Sequence, residues 1–396
     1  MSLTIDCKNL RGKITVPYSK SMAHRYLIAS FLSGNYEAVK SFDETNMSDD
    51  VLATKECLEE LISGEKSVKL NCRESGTTLR FMTTLVAALG IDAEIKATGT
   101  LAARPMDPLL AVLKEHGVII EDIDDGNTRV FKISGKIKPG KYKIKGNISS
   151  QFISSLLLTL PVLDGNSEIE IEGEIASKPY IELTLQTLEK FGVDIKIARK
   201  GYAISGNQNY NWTQDASDLL EADWSQASLF LVANSILGTL EIDGLNEDSL
   251  QADAFIQDIL EIDDDLDVIV SAMDCPDLVP AISLWALSRT GKTTITDLER
   301  LKYKESNRLK ALSEIINNIG GDAKILDDTL VIVNKTLTGT TDTLKTYNDH
   351  RMVMFCTFAS ILTETALTID APESVKKSYP YFFDEIERLG GTLKWN

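Results

Sequence analysis

The chain has 396 residues, 43% hydrophobic and 25% charged, a composition ordinary for a water-soluble protein and long enough for two domains with full cores. A formal charge of −18 argues against nucleic acid or an anionic membrane as the main partner. Charged residues from Asp6 to Lys13 interrupt any signal peptide, and the most apolar stretch, 156–163, is too short to cross a bilayer; a cytoplasmic location is expected. The five cysteines are odd in number and form no C-x-x-C, which reads as reduced thiols. Three scattered histidines give no zinc spacing, and neither G-x-G-x-x-G after a strand nor a Walker motif occurs. No metal and no cofactor are expected.

In chain order, six small-polar clusters each lead directly into an apolar run. They are Ser19-Lys20-Ser21, Ser75-Gly76-Thr77-Thr78, Ser149-Ser150-Gln151, Asp223-Trp224-Ser225-Gln226, Asp274-Cys275-Pro276-Asp277 and Asn348-Asp349-His350-Arg351. Ser, Thr, Asn and Asp at such a junction predict helix N-caps, and the exposed N–H groups with the positive dipole end make each start an anion seat. A second, amphipathic kind of helix alternates with the first, predicted over 49–61, 108–116, 180–191, 250–260, 305–319 and 381–389, and most copies stop at a glycine. Short β-like runs at 13–16, 130–133, 168–171, 293–296, 330–333 and 367–369 lie between them.

The first-type helices begin near 20, 76, 150, 224, 277 and 349, so the intervals run about 56, 74, 74, 53 and 72. Short-then-long recurs in both halves. The pattern predicts an α/β (α+β) fold of two related halves, three units each, dividing between 221 and 223.

In so acidic a chain, local positive charge is informative. Lys20 and Ser21 stand at a helix start with Arg25 one turn on; a Lys suits a phosphate and the planar Arg fork a carboxylate. Gly76 lets a ligand approach the backbone, with Arg80 close behind. Arg104 precedes a helix. Ser149, Ser150 and Gln151 form a neutral phosphate cradle, with Lys145 and Lys178 as cationic support and Ser177-Lys178-Pro179-Tyr180 repeating the theme on a loop. Lys304 and Arg308, four apart on one predicted helix, flank Glu305 as a proton carrier, and Asp277 either accepts a hydroxyl proton or caps its helix. Asp349 is read as orienting Arg351, or else as a plain helix cap. Lys377 lies in a last basic stretch.

With these residues in place, the chain resembles the 5-enolpyruvylshikimate-3-phosphate synthase (3-phosphoshikimate 1-carboxyvinyltransferase) family over essentially its whole length. The carrying motifs are Pro17-Tyr18-Ser19-Lys20-Ser21 with Arg25, Ser75-Gly76-Thr77-Thr78-Leu79-Arg80, Arg104-Pro105-Met106, Ser149-Ser150-Gln151, Ser177-Lys178-Pro179-Tyr180-Ile181, Pro276-Asp277, Lys304-Glu305-Ser306-Asn307-Arg308, Asp349-His350-Arg351-Met352 and Lys377-Ser378-Tyr379-Pro380. Each is weak alone; their joint order is specific.

The resemblance implies two domains of three βαβαββ-type repeats with buried parallel helices. One domain would take 1–18 with 222–396 and the other 19–221, joined by two crossovers, with the active site in the cleft between them. It implies transfer of enolpyruvyl from phosphoenolpyruvate to the 5-hydroxyl of shikimate 3-phosphate, by addition and elimination, in a monomer with no nucleic-acid or membrane partner. Ser21 and Arg25 would hold the shikimate carboxylate; Ser149, Ser150, Ser177 and Lys304 its phosphate; Gln151 and Tyr180 its ring side. Lys20, Gly76, Arg104, Gln151 and Lys377 would bind phosphoenolpyruvate, its carboxylate on Arg308 and Arg351. Asp277 would orient or deprotonate the hydroxyl and Glu305 would protonate the methylene carbon, with Lys20 completing the catalytic set. Tyr18, Glu74, Phe81 and Asn307 depart from the family pattern; Asn307 stands where Asp usually precedes the Arg, which puts the orientation of Arg308 in question. Two rivals are a sister enzyme acting on UDP-N-acetylglucosamine, which normally carries a reactive loop Cys, and a silent anion-binding scaffold.

Overall fold

One sheet pattern is built four times. Each sheet has a parallel strand pair, joined through a buried helix, followed by two antiparallel neighbours. The computed structural model describes residues 1–43, 47–213 and 220–396 and divides into two units, Tyr18–Glu221 and Met1–Pro17 with Ala222–Asn396.

In Tyr18–Glu221, Ser67–Asn71 pairs in parallel with Asp92–Thr98, which continues antiparallel to Thr128–Ser134 and Ile119–Asp124. A second sheet repeats the plan with Lys141–Lys145, Ser167–Glu172, Gly201–Ile204 and Ile195–Ala198. The crossover helices are Gly76–Leu89 and Ser150–Thr159. Both are apolar almost all round: Leu79, Met82, Leu85 and Val86 are buried in the first, Phe152, Ile153, Leu156 and Leu157 in the second. Each such side chain contributes about 1.5–3 kcal/mol by leaving water. The amphipathic helices Asp49–Ile62, Asp107–Glu115 and Lys178–Lys190 cover them with one face. The Gly76 helix ends where Gly90 turns left-handed at φ 70°, a conformation open to glycine because it lacks a Cβ.

In the other unit, Val268–Ser271, Thr293–Thr296, Thr329–Val333 and Asp322–Leu326 form the same sheet around Val279–Ser288. The last sheet joins Thr343–Leu344 to Leu367–Asp370 across the helix His350–Ala359. Here the strand Ser2–Asp6 lies between Leu367–Asp370 and Thr392–Trp395, so the first residues of the chain complete the last repeat. Gly12–Thr15 pairs in parallel with Leu240–Asp243, which follows the Trp224–Leu237 helix.

The six expected helix starts fall at Lys20, Gly76, Ser150, Trp224, Val279 and His350. Two expectations are corrected. The 250–260 helix is a short 3-10 turn, Ala252–Phe255, running into Ile256–Leu260. The 305–319 helix begins only at Arg308, because the Asn307 side chain caps it by accepting from the Lys310 N–H at 3.1 Å. Lys304 therefore sits at the end of a separate 3-10 turn, Glu299–Tyr303, and shares no helix face with Arg308.

Candidate functional site

In Tyr18–Glu221 the helix starts carry the cations. Lys20 is the first residue of Lys20–Leu32, and its Nζ meets Asp50 Oδ2 at 2.9 Å. Arg25, one turn further, is 2% exposed. Its Nη1 donates to Ser21 O at 2.6 Å, Nε to Thr184 Oγ1 at 2.8 Å, and Nη2 to Tyr180 O at 2.7 Å and Ser154 Oγ at 3.4 Å. The guanidinium also lies over the Phe81 ring, at 5.6 Å. Burial lowers its pKa to about 10, still charged at neutral pH. Of the five directional N–H groups, four are fixed in this way and one Nη1 hydrogen is left for a ligand.

Ser75 caps Gly76–Leu89 by accepting from the Thr78 N–H at 3.3 Å. A Cβ at Gly76 would stand 2.9 Å from Arg80 Nη1 and 3.2 Å from Arg104 Nη1. Two guanidiniums therefore press against this helix start where glycine leaves room. Arg80 also donates from Nη1 to Gln151 Oε1, and Gln151 Nε2 donates to Thr77 Oγ1 at 2.8 Å. This fixes the amide's orientation. Arg80 was quoted in the sequence as part of a motif without a role; its partner lies 71 residues on, which spacing alone does not give.

Ser149 caps Ser150–Thr159, accepting from the Gln151 N–H at 3.3 Å. Ser177 is buried in a left-handed turn at φ 56°, and helix Lys178–Lys190 starts at once, so Ser177-Lys178-Pro179-Tyr180 is a helix start rather than a loop. Lys178 is well exposed and meets Glu182 at 3.2 Å, while Lys145 is exposed on its strand. Of the departures, Glu74 accepts from Thr100 Oγ1 at 3.2 Å, two residues from Gly76.

The second set of residues, in the other unit, is a lattice of ion pairs. Arg308 is 1% exposed and is held by three carboxylates. Nε donates to Asp349 Oδ2 at 2.8 Å, Nη2 to Asp349 Oδ1 at 3.3 Å and to Glu305 Oε2, and Nη1 to Asp277 Oδ1 at 2.6 Å. Lys304 Nζ reaches the same Asp277 oxygen at 3.2 Å, so the two cations converge on one carboxylate without sharing a helix face. Asp349 is fully buried, accepts from Ser306 Oγ at 2.9 Å, and caps the His350 helix through the Arg351 N–H at 3.0 Å. Its carboxylate thus orients Arg308, and the reading that it orients Arg351 is corrected. The Arg351 guanidinium is held by Ser225, through the carbonyl at 2.7 Å and the hydroxyl. Asn307 does not touch the Arg308 guanidinium among the described contacts; its side chain serves the helix cap. Lys377 ends the turn Pro372–Lys377, which packs on the helix that Arg351 heads.

These pairings set the protonation states. Burial pushes the Asp277 carboxyl up, but Lys304, Arg308 and Arg351 together outweigh it and hold the group well below the carboxylate range. Burial lowers Lys304, with Asp277 opposing. Arg308 is raised, since Asp349, Glu305 and Asp277 overcome the effect of its burial. The five cysteines are buried thiols, no group of His, Cys, Asp and Glu suited to a metal ion occurs among the described residues, and no described helix is long and apolar enough to cross a membrane.

Helix-start cations around a glycine, with a carboxylate–guanidinium lattice beside the half-buried Lys304, define a protein built for small polyanions. The fold belongs with enolpyruvyl transferases: EPSP synthase from Acinetobacter baumannii superposes with a TM-score of 0.76 over 100% of both chains at 21% identity. The enolpyruvyl transferase NikO from Streptomyces tendae does so with 0.69 at 14% identity, over 99% of this chain and 98% of that one. The family profile of EPSP synthase (3-phosphoshikimate 1-carboxyvinyltransferase) matches residues 6–386. The 3-phosphoshikimate 1-carboxyvinyltransferase of Clostridium perfringens is 35% identical across 98% of each chain. That of Clostridium novyi is 34% identical over 100% of this chain and 99% of its own. The chain belongs to the EPSP synthase family and is an enzyme of enolpyruvyl transfer in the shikimate pathway.

Proposed function

We propose that this chain joins phosphoenolpyruvate to the 5-hydroxyl of shikimate 3-phosphate and releases phosphate, using the two sets of residues on one pair of substrates. The observation that supports the reading is that Arg25 is held by neutral acceptors while Arg308 is held by three carboxylates. In Tyr18–Glu221, Lys20, Arg104 and the Gly76 N–H seat the phosphate of phosphoenolpyruvate beside Gln151. Arg25 and Ser21 take the shikimate carboxylate, and Ser149, Ser150 and Ser177 take its 3-phosphate, with Tyr180 along the ring. In the other unit, Arg308 and Arg351 take the enolpyruvyl carboxylate, Lys377 completes that pocket, and Lys304 serves the 3-phosphate side.

Chemically, the 5-hydroxyl oxygen bonds to C2 of phosphoenolpyruvate as its O–H bond breaks and its proton passes to Glu305 and Lys304, which deliver a proton to the C3 methylene, giving a tetrahedral adduct. A proton then leaves the new methyl for the same pair as the C2–O bond to phosphate breaks and phosphate departs with the electron pair. Both steps concentrate negative charge on phosphate and carboxylate, which fixed cations stabilise without reorganising. Asp277 is held too far below its ordinary pKa to be a strong base, so it orients the hydroxyl. Glu305 is the proton carrier: a substrate carboxylate arriving on Arg308 displaces Glu305 Oε2 and leaves it basic enough to cycle a proton. Lys304, lowered by burial, is the neighbouring ammonium best placed to share that proton. Action in the cytoplasm as a monomer, with domain closure on shikimate 3-phosphate, belongs to the same proposal. A phosphate-release assay with both substrates, run against each alone, tests it; release with phosphoenolpyruvate alone at the same rate would end it. Scattering that shows no compaction with shikimate 3-phosphate would remove the closure.

A further inference from the structure

The mechanism leaves one buried polar system unused. His24 on the Lys20 helix, Thr54 on the Asp49 helix and Thr78 on the Gly76 helix are each at most 2% exposed. His24 Nδ1 lies 2.7 Å from Thr54 Oγ1, and Thr54 Oγ1 lies 2.7 Å from Thr78 Oγ1. Thr78 Oγ1 in turn meets Ser75 Oγ at 2.7 Å and the Asp50 carbonyl at 3.1 Å. A run of hydroxyls at hydrogen-bond distance thus crosses three helices within their first two turns.

The directions of these bonds follow from counting protons. A hydroxyl donates once and accepts twice, and a carbonyl only accepts. Thr78 must therefore spend its proton on the Asp50 carbonyl or on Ser75 Oγ, both of which it meets as donor, and accept from Thr54. Thr54, having donated to Thr78, must accept from His24, which puts the ring proton on Nδ1. Burial, with Lys20 and Arg25 nearby, keeps this imidazole neutral. Either placement of the Thr78 proton leaves the Thr54 and His24 directions the same.

Asp50 is the junction. Its carbonyl holds Thr78 and its carboxylate holds Lys20, so the ammonium and the Gly76 helix start are referred to one residue. Arg25 is fixed by a separate group, Thr184, Ser154 and the Tyr180 carbonyl. From this geometry we infer that His24, Thr54 and Thr78 are positioning residues that set the Lys20 ammonium against the Gly76 N–H, and so tune the seat for the phosphate of phosphoenolpyruvate and leave the shikimate carboxylate seat alone. The inference rests on the substrate assignment proposed above.

The test is Thr54→Val in the full chain. Stranding buried partners on either side should raise KM for phosphoenolpyruvate about tenfold, the usual scale for an orphaned buried polar group. The Kd for shikimate 3-phosphate, read by intrinsic fluorescence, should stay at the wild-type value. Thr54→Ser, which keeps the hydroxyl and loses the methyl, should restore KM even though it unfolds at a lower temperature. Nitrogen NMR of wild-type His24 should show the proton on Nδ1, a readout that requires no variant to fold. The inference is overturned if the Val variant keeps its KM, if both substrates weaken in step, if Ser is as impaired as Val, or if the proton sits on Nε2. Failure of the substrate assignment would appear in the wild type, as absent phosphate release, and is thereby told apart.

Discussion

The two sets of residues hold arginine in opposite ways. In Tyr18–Glu221, Arg25 and Arg80 are steered by neutral acceptors: carbonyls, hydroxyls and the Gln151 amide. Lys20 alone of these three is drawn to a carboxylate in the described pairs, and that pair is about one-fifth exposed, 20% and 21%. In the other unit, Arg308 is enclosed by Asp349, Glu305 and Asp277. Neutral steering, as at Arg25, fixes a cation through acceptors that carry no charge, which suits the capture of a phosphate. Carboxylate steering neutralises the cation until a substrate carboxylate competes, and that competition frees a group able to move a proton. On the proposed roles, one half binds and the other exchanges.

Four experiments bear on that contrast. The largest effect is expected at the helix-start ammonium: Lys20→Met should cut kcat about a thousandfold while leaving thermal unfolding in place, since it removes charge aimed at the transition state. Near-normal turnover would remove Lys20 from the site. Next, Asp349→Ala should lower unfolding free energy by about 3–5 kcal/mol in a denaturant titration, because Arg308 remains buried without its two-oxygen partner. Asp50→Ala, at a more exposed pair, should cost less than about 1 kcal/mol. Equal losses would erase the distinction between the two kinds of steering.

A third effect follows from His24, whose folded pKa lies well below the ordinary 6.5 because burial, Lys20 and Arg25 oppose its charging. The unfolded chain therefore binds the extra proton first as pH falls below 6.5, and stability falls with it, by up to about 1.4 kcal/mol per pH unit. Above 6.5 the contribution is constant. His24→Gln should flatten that acid limb of Tm against pH; an unchanged slope would place the titration elsewhere. The smallest effect is Ser225→Ala, which deletes one hydroxyl from Arg351 and keeps the carbonyl bond. It should raise KM for phosphoenolpyruvate about fivefold, near 1 kcal/mol, with kcat unaltered.

Much of this is legible in the amino-acid sequence. The alternation of apolar and amphipathic helices announced the repeat, because a helix buried on all sides has no polar face to hide and its first residues must supply their own caps. The motifs at those caps named the cations. What stayed hidden is what contacts across repeats decide. Asp50 reads as an acidic first-turn residue, and nothing near it in sequence points to Lys20 thirty positions away. Ser225 reads as a helix start, not as the grip on Arg351. Asp349 sits two residues from Arg351, which invited the wrong pairing; its oxygens turn instead to Arg308 across 41 positions. Local propensity also extended the Arg308 helix too far, since Lys304 and Glu305 are good helix formers and the Asn307 cap overrides them.

The strand Ser2–Asp6 closes the C-terminal sheet, and this has a consequence for biogenesis. It leaves the ribosome long before its two hydrogen-bonding neighbours, Leu367–Asp370 and Thr392–Trp395. While the residues between are made it waits as a lone extended segment, whereas the described strands of Tyr18–Glu221 all become available much earlier. Nascent-chain proteolysis should find that middle stretch protected well before the sequences flanking it.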